Sequence, residues 1–202
     1  MNMIEEKKQN RTKNTIIQCA KKEFLEKGYK GANLRDICKA AGVTTGAFYF
    51  SFAGKEALLQ AILQPILEEA EKKMSIYLEK EIENPNTSAE NDKEIMKFEW
   101  THKEEILIFM EKAQGSCYEK IKYQVYDTVF QAFENYFQKN LNGKADKALI
   151  KILVDMRIQS NLSILKGNFD MEYSVNLTEA IGIHAEGGTE KLIEYIKKNA
   201  HR

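Results

Sequence analysis

Three cysteines, two prolines, one tryptophan and no net charge leave several classes of protein without material. Cys19, Cys38 and Cys117 are odd in number and lack metal-ligand spacing, which argues against a disulfide framework or a structural zinc site. Two of them fall on apolar helix faces, and all three read as buried free thiols of a reducing compartment. No apolar run reaches the length of about eighteen residues that a membrane span needs, and the polar start carries no signal core. A soluble, cytoplasmic chain without membrane contact is expected. A P-loop, Gly-x-Ser-x-Gly, Gly-x-Gly-x-x-Gly and paired metal ligands are all missing, and three histidines leave little from which to build a triad. His102 and His184 stand alone. No enzyme, cofactor or metal is therefore expected. No alternating β pattern rivals the 3.6-residue periodicity, so the fold class is all-α.

What is present is organised around residues 32–59. Asn33 is an N-cap for a short helix, and Asp36 stands where a capping box places its acid. Leu34, Ile37, Cys38 and Ala41 line one face. Gly42 stops that helix. Thr44 then caps another, with Val43 and Phe48 at hydrophobic-staple spacing. Two short helices across a glycine turn make a helix-turn-helix, whose second helix is built for the major groove of duplex DNA. An earlier helix, Arg11 to Lys27, braces the pair through Ile16, Ile17, Ala20, Phe24 and Leu25, and Gly28 ends it. Before it, Met1 to Asn10 reads as a polar, frayed tail with no part in binding; the alternative is that Lys7, Lys8, Arg11 and Lys13 reach a phosphate backbone or the neighbouring minor groove. Residues 1–55 hold 11 Lys/Arg against 5 Asp/Glu, so a basic head precedes an acidic body. That asymmetry suits a nucleic-acid reader, and equally a solvated lysine face.

The run from Gly28 to Leu59, GYKGANLRDICKAAGVTTGAFYFSFAGKEALL, resembles the DNA-binding domain of the TetR/AcrR family of transcriptional regulators. The likeness covers roughly the first sixty residues, and the remainder matches only in being helical and of suitable length. One departure is Gly54, where family members often carry Ser before Lys-Glu; glycine caps a helix almost as well. The residues expected to meet DNA are Asn33, Arg35, Thr44, Thr45, Gly46, Ala47, Tyr49, Phe50 and Lys55. Gly46 lets backbone approach closely, Thr45 can bond a base or phosphate, and Ala47 and Phe50 can touch a thymine methyl. The resemblance gives Tyr49 a phosphate oxygen. Lys55, opening the fourth helix, is expected to aim its ammonium and the free N–H groups there at one phosphate. Phe48 and Phe52 are expected in the core.

The expected organisation is a three-helix DNA-binding domain over residues 1–54 and a larger helical domain over 55–202 for effector binding and dimerisation. Pro65 interrupts the fourth helix, as a moving hinge or a static kink. Asn84-Pro85-Asn86-Thr87-Ser88 is a loop. Tyr118 to Phe137 keeps one face apolar, and Asn142-Gly143 ends that run. Leu149 to Leu165 is apolar on two sides and needs cover on both. Gly187-Gly188 reads as a helix crossing or as a break between two helices. The resemblance implies dimerisation through the last two helices and hence an inverted-repeat operator. Trp100, Phe109, Met110, Gln114, Tyr118, Tyr126, Arg157 and Asn161 offer the aromatic walls and polar anchors of a small-molecule effector pocket, with Tyr123 and His184 as further candidates. The leading functional expectation is a ligand-responsive repressor; the alternative is a helical DNA-binding or interaction protein that senses no small molecule.

Overall fold

The computed structural model describes residues 3–83, 88–143 and 145–199, and among them every element is helical. The helices are α1 (Met3–Gly31), α2 (Leu34–Ala40), α3 (Thr45–Ser51), α4 (Lys55–Glu83), α5 (Ser88–Thr101) and α6 (Lys103–Leu107), the last running into a π-helical turn, Ile108–Lys112. They are followed by α7 (Tyr118–Asn140), α8 (Lys147–Lys166) and α9 (Met171–Asn199). The chain divides into two compact units, residues 1–75 with 102–122, and residues 76–101 with 123–202. The packing thus groups the first turns of α4, and all of α6, with the helix-turn-helix.

In the first unit, α1 brings Ile16, Ala20 and Phe24 into a core with Ile37, Phe48, Phe52, Leu58, Leu59, Ile62 and Leu63. The π-helical turn closes that core with Ile108 and Phe109, and Tyr118 seals it. Lys21, itself nearly buried, reaches Glu104 at 2.7 Å and Glu105 at 2.8 Å and ties α1 to α6. The π-helical turn had no signature in the apolar periodicity, because an added residue per turn shifts the stripe without changing which residues are apolar.

In the second unit, α5 and α8 pack against α9 and against each other. Phe137, Leu141, Ile150, Val154 and Ile193 form its core. Ile152 and Met156, on the other side of α8, stay 56% and 60% exposed.

Two expectations change here. The first helix does not begin at Arg11 but runs from Met3, because the polar residues ahead of it contain no helix breaker. Pro65 lies inside α4, as its place in the fourth-helix pattern implied. Gly187 and Gly188 lie inside the unbroken α9, so the reading of two shorter helices is withdrawn. Of the loop read at 84–88, residues 84–87 lie outside the described residues, and Ser88 opens α5.

Candidate nucleic-acid interface

Local chemistry fixes the two short helices. Asn33 Oδ1 accepts the Arg35 N–H at 2.9 Å, as an N-cap should. The reciprocal half of the capping box is made by another residue: the Asn33 N–H donates to Glu23 Oε1 of α1 at 3.2 Å, while Asp36 pairs with Lys27 at 3.1 Å. Aspartate is one methylene shorter than the glutamate that usually reaches back. At the other end of α2, Val43 N–H donates to Cys38 O at 3.0 Å and Gly42 N–H to Lys39 O at 3.2 Å. That is a Schellman ending, and it requires the positive φ of +66° that Gly42 has.

Thr44 Oγ1 accepts the Ala47 N–H at 3.1 Å and starts α3. Phe48 is then fully buried, its ring 5.7 Å from Phe52 and edge-on to Tyr49 at 5.4 Å. These contacts clamp one side of α3 and leave the other bare. Thr45, Gly46 and Ala47 are exposed, with Tyr49 at 57% and Phe50 at 77%. A half-apolar, uncharged surface stands out from the unit, and nothing inside the first unit covers it. Arg35 and Asn33 lie exposed at the start of α2.

Lys55 differs from its expectation. Its ammonium donates to Tyr29 O at 2.6 Å and Ala32 O at 3.0 Å and lies 4.6 Å from the centre of the Tyr29 ring. The regular helix of α1 breaks at Gly28 (φ +67°), where the sequence placed its end, and the cation binds carbonyls of the single turn beyond that break and does not point outward. Gly54 precedes it at a φ of +145°, a conformation that a serine there would strain to adopt. Beside this contact, Glu56 accepts from the Tyr29 hydroxyl and, at 2.9 Å, from the Cys117 N–H. Burial alone would raise the Glu56 carboxyl; the Cys117 thiol, the Tyr29 hydroxyl, the Cys117 N–H and the Lys55 charge outweigh it and hold it below its ordinary range. The sequence pattern did not single out Glu56 or Cys117 as partners. Cys117 is exposed, Cys19 half-buried and Cys38 buried, so only Cys38 matches the buried thiol expected.

The eight effector-pocket candidates fall four to each unit. Phe109 and Tyr118 are core, with 4% and 1% exposure, and the Tyr118 hydroxyl donates to Gln64 at 3.2 Å. Met110 packs beside them and Gln114 is exposed. Aromatic residues at helical spacing serve a core as readily as a cavity, and the pattern could not separate the two. In the second unit, Arg157 pairs with Asp92, and Asn161 Nδ2 lies 3.5 Å from Glu99. Burial pushes the Glu99 carboxyl up to about 7, with the nearby Arg157 charge opposing and Asp92 adding to the rise. Trp100 Nε1 donates to Phe169 O at 3.2 Å, and the Tyr126 hydroxyl to Asp155 at 2.8 Å.

Residues 16–62 match the family described as bacterial regulatory proteins, tetR family. The HTH-type transcriptional regulator UidR of Escherichia coli (strain K12) is 36% identical over 68 residues, 34% of this chain and 33% of that protein. The chain therefore matches about a third of the length of this curated relative. A transcriptional regulator from Aquifex aeolicus VF5 shares the fold, with a TM-score of 0.54 and 23% identity over 85% of this chain and 98% of the other. So does NalD, described as the secondary repressor of the MexAB-OprM multidrug efflux pump in Pseudomonas aeruginosa, with a TM-score of 0.51 and 18% identity over 87% and 96%. Residues 16–62 thus carry the helix-turn-helix segment of the tetR family of bacterial regulatory proteins, and the described residues share the all-helical fold of these solved regulators.

Proposed function

We propose that the protein is a DNA-binding transcriptional regulator, acting as a homodimeric repressor that a small-molecule effector releases from an inverted-repeat operator. The observation that carries this reading is the outer face of α3, where Thr45, Gly46, Ala47, Tyr49 and Phe50 are exposed above a buried Phe48. A helix held by its cap and one aromatic anchor, with small residues leading, fits a major groove and has little use elsewhere. In this reading Thr45 and Ala47 meet base edges and Tyr49 a phosphate. Lys55 contributes through the N–H groups that open α4, not through its ammonium. Asn33 and Arg35 lie along the backbone of the duplex.

Self-association is supported by exposed apolar residues on the last two helices: Ile152 and Met156 on α8, and Tyr173, Ile183 and Tyr195 on α9. A two-fold pair would present two copies of α3 to successive major grooves. Release follows if an effector binds more tightly to a dimer whose α3 helices are mis-spaced for the operator. The description of NalD as a repressor supports the sign of the regulation.

The second reading, a DNA-binding protein that senses no small molecule, is favoured by the burial of Phe109 and Tyr118 and by the pairing of Arg157 with Asp92. In-vitro selection of bound fragments from genomic DNA tests the proposal. A palindromic consensus, preferred over bulk DNA by about a thousandfold or more, is expected. Binding without sequence preference would sink it.

A further inference from the structure

Lys13 Nζ sits 5.6 Å above the ring of Phe52, the residue that ends α3. That contact places the N-terminal part of α1 beside the end of the proposed recognition helix. The first core residue of α1 is Ile16, so residues 3–15 extend the helix by roughly 20 Å ahead of the core. This overhang carries Lys7, Lys8, Arg11 and Lys13, all exposed.

Three of the other seven cations of the basic head are committed elsewhere. Lys21 is held by Glu104 and Glu105, Lys27 by Glu23 and Asp36, and Lys55 by the carbonyls of α1. Lys7, Lys8 and Arg11 make no ion pair with any described residue. Helical spacing sets Lys7, Arg11, Asn14 and Gln18 on one stripe, and they border a shallow groove along α1. Glu6 falls off that stripe, and the next acid on α1, Glu23, turns toward Asn33 and Lys27.

We infer that the overhang of α1 is a second DNA-contacting element, in which Lys7, Lys8 and Arg11 bind backbone phosphates flanking the site that α3 reads. The inference rests on the proposed DNA-binding function and adds a surface to it. The occupant is the phosphate backbone, because the side chains of the stripe are two cations and two amides, none of them apolar. Lys13, seated on Phe52, makes the overhang continuous with α3. Contacts of this kind position the protein and raise affinity while leaving the preferred sequence alone.

The test uses the full chain and the operator found by selection. Binding is measured from low to moderate salt for wild type, for Lys7→Gln/Lys8→Gln/Arg11→Gln, and for Lys139→Gln/Lys197→Gln/Lys198→Gln, which removes the same charge from the second unit. Each lost phosphate contact should flatten the slope of log affinity against log salt by about 0.9. The overhang variant should therefore lose about two to three units of slope and keep the wild-type consensus and melting temperature. The second-unit variant should keep the slope. Equal slopes in wild type and overhang variant, or equal losses in both variants, would overturn the inference while leaving the proposed function intact. A wild type that binds no duplex at all would sink the proposed function and the inference with it.

Discussion

Lys55 Nζ lies 2.6 Å from the Tyr29 carbonyl oxygen and 4.6 Å from the centre of the same residue's ring, so one ammonium holds the turn beyond Gly28 and covers its aromatic. A cation used this way contributes to stability more than to affinity. Hydrogen bonds to a charged group are worth about 1.5–3 kcal/mol each when buried, and partial exposure lowers that. Lys55→Met should destabilise the first unit by about 2 kcal/mol in chemical denaturation. At temperatures where the variant is folded, its salt dependence of operator binding should equal the wild type's. A slope reduced by about one ion with stability intact would return the ammonium to a phosphate.

The carboxylate next to it makes a second, separable prediction. Glu56 binds the Tyr29 hydroxyl and the Cys117 N–H and is held below its ordinary value of 4.5. Because the folded value is lowered, its contribution is present above pH 4.5 and is lost as pH falls through the folded value. Glu56→Gln should melt earlier than wild type at pH 7 and lose less stability below pH 4.5. Cys117 is exposed as a residue, but its sulfur is partly withdrawn from water against Glu56, and that desolvation first and the Glu56 contact second raise the thiol to about 11. Alkylation of Cys117 at pH 8 should accordingly be slow in wild type and faster in Glu56→Gln. Equal alkylation rates would show that Glu56 does not restrain the thiol.

Glu99 has the opposite sign. Burial raises its carboxyl to about 7, so the folded second unit holds a proton that the unfolded chain releases near 4.5. Its stabilising effect is complete below pH 4.5 and is lost as pH rises to about 7. Arg157 and Asp92 face it from α8 and α5, and Asn161 lies 3.5 Å away. Glu99→Gln should melt higher than wild type at pH 8 and close to it at pH 4.5. A melting difference that is the same at both pH values would remove the titration from the account.

The helix-turn-helix was legible because its signals are local. Asn33, Gly42 and Thr44 act within a few residues of themselves, and the structure gives each the cap or turn its chemistry implies. Phe48 and Phe52 were readable as core from spacing alone. What the sequence concealed depends on partners far along the chain. Lys55 meets carbonyls from Tyr29 to Ala32, Glu56 meets Cys117, and Glu23 replaces Asp36 in the capping of α2. A lysine at a helix start satisfies both a phosphate and the end of a neighbouring helix, and only the fold decides between them. The pocket candidates were hard to choose for a related reason: apolar periodicity marks burial without saying whether the space beyond is filled, as the buried Phe109 and Tyr118 illustrate.

The division of labour within α3 gives the sharpest contrast between holding a surface and using it. Phe48 is fully buried and Phe50 is 77% exposed, two residues apart on one short helix. Truncating a buried phenylalanine costs about 3–5 kcal/mol, a large fraction of what a small domain has. Phe48→Ala should therefore lower the melting temperature sharply and lose operator binding only because α3 is no longer held. Phe50→Ala removes no packing, so its melting temperature should stay within a degree or two of wild type, given surface effects of about 0.5 kcal/mol or less. Its operator affinity should nonetheless fall about tenfold if the ring meets a thymine methyl or a sugar, a loss of about 1–3 kcal/mol being ordinary for one misread base pair. Lowering the temperature or adding a stabilising osmolyte should restore binding to Phe48→Ala and leave Phe50→Ala weak. If both variants recover together, the outer face of α3 is packing surface and not the part that reads DNA.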